Sequence, residues 1–208
     1  MDKQGDGSDT SHSTHNRARL YDPFISLLRL KGVRRETVAL SGARPDDRIL
    51  DVCTGTGDVA LAFAGRCDDV TGIDLSAGML AVAQEKNAGD RVRFLQMDAT
   101  KLTFADGAFD ISAISFALHE MPPRAGEETL REMARVTRHR IVVVDYNLPR
   151  KRALRALYVA LISVCESRHF SQFARDDLGE LLARCGLRIE REKPVHAGFV
   201  RVCVASHA

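Results

Sequence analysis

The stretch "RILDVCTGTGDVALAFA", residues 48–64, decides the fold. It reads as a short apolar strand, a glycine-rich turn and an apolar helix. Turns of this kind usually cradle phosphates against a helix N-terminus. Here Asp51 stands just before the glycines, with Asp58 beside them. A pyrophosphate would meet like charge in a partly desolvated turn. The turn therefore suits a ligand that needs close backbone approach and a carboxylate together.

Outward from that turn, strands and helices alternate. Strand-like runs fall at residues 49–53, 70–74, 92–97, 109–116 and 141–146, with helix-like runs at 59–65, 77–86 and 126–137. Ser76 is the expected N-cap of the second helix. Short apolar strands separated by helices imply a parallel sheet covered on both faces. Upstream, "LYDPFISLLRLKGVRRETVAL" is helical on either side of an expected break near Gly32. Downstream come helical stretches at 151–167 and 175–185. "LRIEREKPV" and "FVRVCVAS", joined by "HAG", then form an antiparallel hairpin at or near the sheet edge.

Length and composition narrow the class. The chain has 208 residues, enough for one full core, and we expect a polar, disordered tail over 1–19 followed by one domain over 20–208. Net charge is +2, which argues against a nucleic-acid partner. Five scattered cysteines fit a reducing cytoplasm better than a disulfide framework. The histidines show no H-x-x-x-H spacing, so no metal site is expected. The longest apolar run, "ALYVALI", is too short to span a bilayer.

In an open α/β sheet, ligands bind beyond the carboxyl ends of the strands. "CTGTGD" lies there, where Gly55 and Gly57 let a ligand approach the backbone. "GTGDVA" also matches the looser dinucleotide pattern, so NAD competes as a ligand. S-adenosylmethionine fits better, since it carries a sulfonium, an α-ammonium group, a ribose and an adenine, and no phosphate. Asp51 would attract its positive charge. Asp74, ending the second strand, can accept both ribose hydroxyl protons. Asp98, ending the third, is placed to accept from the adenine amine. Leu75 and Met79, in "VTGIDLSAGML", complete the candidate cofactor set on that side.

Together, Asp51, "GTGD", Asp74, the pair Asp98–Ala99 and "FADGAFD" resemble the class I S-adenosylmethionine-dependent methyltransferases. Within them the chain is most similar to the ubiquinone/menaquinone C-methyltransferase-like branch. The resemblance covers nearly everything after residue 20. It implies a Rossmann-like, seven-stranded, mostly parallel sheet with an antiparallel C-terminal hairpin strand. It also implies cofactor contacts from Thr56, Asp74, Asp98, Ala99 and Ser115. Two departures bear on the acceptor. The turn before strand five reads "VTRHR" rather than a "KPGG"-like turn, and "FALHEMPP" places His119–Glu120 where quinone enzymes tend to carry other residues.

Methyl transfer needs alignment and exclusion of water, and a base only if the nucleophile must lose a proton. His119, following strand four, is the candidate base, with a backbone-bonded structural histidine as the alternative. Tyr21, with Asp22, lies in a segment that could fold over the cofactor, or pack in the core. The basic start of "PRKRALRALYVALISVCES" is a solvated helix start or a contact to an anionic membrane surface. The expected acceptor is a small or lipid-like, quinol-like molecule. Alternatives are a phospholipid or other amine, or a non-catalytic cofactor-binding partner subunit. The oligomeric state is not legible.

Overall fold

The computed structural model describes residues 31–148, 169–174 and 177–208. Tyr21, Asp22, the 1–19 tail and the helical stretch expected at 151–167 lie outside the described residues.

A helix, α1 (Lys31–Ser41), leads into β1 (Arg48–Val52), α2 (Asp58–Phe63), β2 (Asp69–Asp74), α3 (Ala77–Lys86) and β3 (Arg93–Gln96). Then come β4 (Phe109–Ser115), a single 3-10 turn (Leu118–Glu120), α4 (Pro123–Val136) and β5 (Thr137–Tyr146). The chain closes with α5 (Phe170–Phe173), α6 (Leu178–Arg184), β6 (Leu187–Val195) and β7 (Val200–His207). The seven strands form one sheet in the order β3-β2-β1-β4-β5-β7-β6. β1 to β5 run parallel, and β7 is antiparallel to both β5 and β6.

The central strands β1, β4 and β5 are buried over most of their length because both of their faces are covered. In β5, Ile141 and Val143 face one core with Leu130 and Met133 of α4 and Leu182 of α6. Val142 and Val144 face the other with Val33 of α1 and Ala60 and Phe63 of α2. β7 repeats the alternation, with Cys203 and Ala205 on one side and Val202 and Val204 on the other. β6, at the edge, has seven exposed positions out of nine, most of them charged, and carries Pro194. Charges and proline on an edge strand discourage pairing with another chain.

Gly32 lies in the first turn of α1, and the helical stretch expected before it lies outside the described residues. Two expectations are corrected. α4 starts at Pro123 rather than 126, since proline suits the first helical position, where no N–H partner is needed. "VTRHR" is not a turn: helix passes straight into strand at Thr137, four residues earlier than expected. Thr137 Oγ1 donates to Ser112 Oγ at 2.8 Å inside the core. The Arg140 guanidinium donates to the carbonyl of Ser41 at 2.8 Å, closing the end of α1. A register shift between Phe109 and Ile111 absorbs the extra residues.

Candidate functional site

The turn after β1 is held from three sides. Gly55 and Gly57 have φ of +55° and +79°, and Cys53 shares the left-handed region at +54°. Thr54 N–H donates to the carbonyl of Ile73 at 2.8 Å, tying the turn to β2. A Cβ on Gly57 would come within 2.7 Å of Phe94 Cζ and 2.9 Å of Ala83 Cβ. The missing side chain at Gly57 thus makes room for neighbouring protein, and not for a ligand as its position suggests. Gly55 faces open space.

Asp51 is 1% exposed, beneath the turn. Its Oδ2 accepts from Thr54 Oγ1 at 2.6 Å and from Ala60 N–H at 3.1 Å. The second bond satisfies a backbone donor at the start of α2 that has no partner within the helix. Burial pushes the Asp51 carboxyl up to about 7, against the lowering effect of those two bonds. This corrects the picture of a free carboxylate beside the glycines: Asp51 is part of the turn. It lines the cavity, and its Oδ1 accepts no bond among the described residues. Asp58 is not a free charge either. Arg34 Nη2 lies 2.6 Å from its Oδ2 and Lys86 Nζ 3.4 Å from its Oδ1. The repulsion that sequence alone assigns to Asp58 is therefore largely compensated.

Asp74 joins the ends of two strands. Its Oδ2 accepts from Gly55 N–H at 2.8 Å, and its Oδ1 from Ser76 N–H at 2.9 Å. Ser76 caps α3 as expected, accepting from Met79 N–H at 3.3 Å. Leu75 beside it is 68% exposed. A cavity of about 470 Å³ opens over the carboxyl ends of β1, β2 and β4. Asp51, Gly55, Thr56, Asp74, Leu75, Met79 and Ser115 line it, as do Cys53, Phe116 and Glu120. Burial, with Asp74 and Asp51 nearby, pushes the Cys53 thiol up to about 12, so it stays protonated.

Gly57, Asp98 and Ala99 do not line this cavity. Asp98 is exposed, and its Oδ1 accepts from Thr100 N–H at 2.9 Å and Thr100 Oγ1 at 2.8 Å. Those bonds hold its carboxyl below the usual range. Ala99 is buried in the core. His119 is also placed differently from the sequence expectation. It is 2% exposed and outside the cavity lining. Its Nδ1 lies 2.8 Å from Oδ1 of the fully buried Asp145, and its ring meets Tyr146 edge-on with centroids 4.9 Å apart. A buried carboxylate needs such a partner. The cavity also has walls that sequence reasoning missed: Val33 and Arg34 from α1, and Met121 and Pro122 after the 3-10 turn.

Comparison with known proteins agrees with this geometry. Residues 49–140 match the family model described as a methyltransferase domain. The demethylmenaquinone methyltransferase of Beutenbergia cavernae is 40% identical over 146 residues, covering 68% of this chain and 59% of that protein. The ubiquinone/menaquinone biosynthesis C-methyltransferase UbiE of Ectopseudomonas mendocina is 36% identical over 134 residues, covering 60% and 52%. The chain thus spans between half and two thirds of the length of these relatives. In fold it matches a TehB-like SAM-dependent methyltransferase from Corynebacterium glutamicum with a TM-score of 0.66, at 15% identity, over 93% of this chain and 99% of that one. The segment that holds the glycine turn is thus similar to a methyltransferase domain, and the sheet is similar in fold to that of a SAM-dependent methyltransferase. The sequence relatives carry the names of the ubiquinone/menaquinone C-methyltransferase branch.

Proposed function

We propose that the protein binds S-adenosylmethionine in the cavity over β1, β2 and β4 and transfers its methyl group to a small, lipophilic, quinol-like acceptor. The observation that carries this reading is the union of Asp51, Gly55, Thr56, Asp74, Leu75, Met79 and Ser115 on one cavity wall. They fit the cofactor's chemistry. Asp74 spends one bond per oxygen on Gly55 and Ser76, and each oxygen keeps capacity for a ribose hydroxyl. Exposed Leu75, with Met79, offers an apolar surface to the adenine. Asp98 and Ala99 are not part of that wall, so we assign them no cofactor contact. Asp51 Oδ1, Gly55, Thr56 and Ser115 surround the space for the methionine end.

The bound cofactor supplies an electrophilic methyl group, and the chain's own residues orient and shield it. Phe116, Met121 and Pro122 form an apolar wall that would exclude water from the transfer. His119 lies outside the cavity lining with its Nδ1 against the Asp145 carboxyl, so we assign no proton transfer to it. Glu120 is the one described carboxylate on the wall beyond Ser115, with its side chain 52% exposed. It favours an acceptor that presents a hydroxyl or amine proton, which keeps amine N-methylation as the second reading. Among the described residues no helix is long and apolar enough to cross a membrane. The experiment is incubation with methyl-labelled cofactor and a panel of quinol-like, amine and RNA acceptors. Label should enter a quinol-like or amine acceptor. Uptake by RNA alone, or by nothing despite cofactor binding, would overturn the reading.

A further inference from the structure

The cavity lining contains four carboxylates, Asp51, Asp58, Asp74 and Glu120, and among the described residues one cation, Arg34. A ligand carrying its own carboxylate meets repulsion from Asp74 and Glu120, while burial favours the protonated form of Asp51 and Asp58 is paired. The Arg34 guanidinium is the attraction the described lining offers it. Arg34 sits in α1, next to buried Val33, where the helix packs over the start of α2. Its side chain is 21% exposed and its Nη2 lies 2.6 Å from Asp58 Oδ2. A guanidinium has five N–H donors in a planar fork, so one anchored nitrogen leaves the rest available. Asp58 does not cancel the charge, because it is shared with Lys86 at 3.4 Å and accepts from Thr56 Oγ1 at 3.5 Å. Arg34, Lys86 and Asp58 together carry one net positive charge beside Gly55 and Thr56.

We propose that Arg34 binds the α-carboxylate of the cofactor's methionine end, with Asp58 fixing the guanidinium at the cavity wall. The inference rests on the cofactor reading above and deepens it. It assigns a binding residue outside the segment 49–140 that matches the methyltransferase family model. A charge-assisted, two-bond contact to a carboxylate is the strongest kind that one side chain offers. The competing role for Arg34 is a strap that ties α1 to α2 and touches no ligand.

The test compares two probes by calorimetry: S-adenosylhomocysteine and its decarboxylated analogue, which lacks only the α-carboxylate. The wild-type chain should bind the first about ten- to a hundredfold more tightly, the value of a hydrogen-bonded charge pair. Arg34→Gln should lose most of that preference while its affinity for the analogue stays within about twofold, and Arg34→Lys should keep part of it. Equal weakening of both probes in Arg34→Gln, or an unchanged preference, identifies a strap and overturns the proposal. If the wild-type chain binds both probes equally, the proposal fails without any variant. If it binds neither, the cofactor reading itself fails and this inference with it.

Discussion

Asp74 and Gly55, nineteen residues apart, are joined by a 2.8 Å hydrogen bond from the glycine N–H to the aspartate Oδ2. The bond clamps the glycine turn of one strand to the end of the next. One carboxylate therefore shapes the turn and faces the cavity. Asp74→Ala should weaken S-adenosylhomocysteine binding by about 1.5–3 kcal/mol, the worth of hydrogen bonds to a charged group. It should also lower stability by about 1–3 kcal/mol, since Gly55 and Ser76 N–H lose their acceptor. Calorimetry and urea melts measure the two separately. Unchanged affinity would remove Asp74 from the ribose site.

Asp51 makes stability depend on pH. Its carboxyl lies at about 7 in the folded chain against an ordinary 3.8, so the folded state holds a proton that the unfolded state releases. The contribution is full below about pH 4, falls as pH rises through about 7, and is flat beyond, a loss on the order of 4 kcal/mol. Asp51→Asn should abolish that part of the slope, read as the difference between wild-type and variant urea midpoints at pH 4.5 and pH 8. Parallel profiles would contradict the assignment. A cation beside Oδ1 would lower the carboxyl, so S-adenosylmethionine should release more protons on binding near pH 6.5 than its neutral product does.

His119 and Asp145 form a buried pair. Removing one member of such a pair costs about 3–5 kcal/mol. His119→Ala should lower stability by about that much and leave S-adenosylhomocysteine affinity of the folded fraction within about twofold. Loss of methyl transfer with unchanged stability would return His119 to the reacting atoms.

The sheet was legible because β1, β2, β4 and β5 are apolar runs bounded by turn residues, and the terminal hairpin because "HAG" separates two strand-like segments. The early start of β5 was not. Thr137 and Arg140 look like loop residues until their partners Ser112 and Ser41, distant in sequence, are in place. Asp51 and Asp74 were legible as cavity residues because strand ends point there. Asp98 follows the same rule, yet its carboxylate turns back onto Thr100. His119 misled because exposure cannot be read from a position just after a strand, and Asp145 is 26 residues away. Arg34 carried no motif at all, and its role depends on α1 packing over Asp58.

The central claim is that this cavity takes S-adenosylmethionine. The direct measurement is calorimetric titration of the purified chain with S-adenosylmethionine, S-adenosylhomocysteine and NAD. The account predicts saturable one-site binding of the first two, each displacing the other, and no binding of NAD. Binding of NAD with none of either adenosyl compound would contradict it.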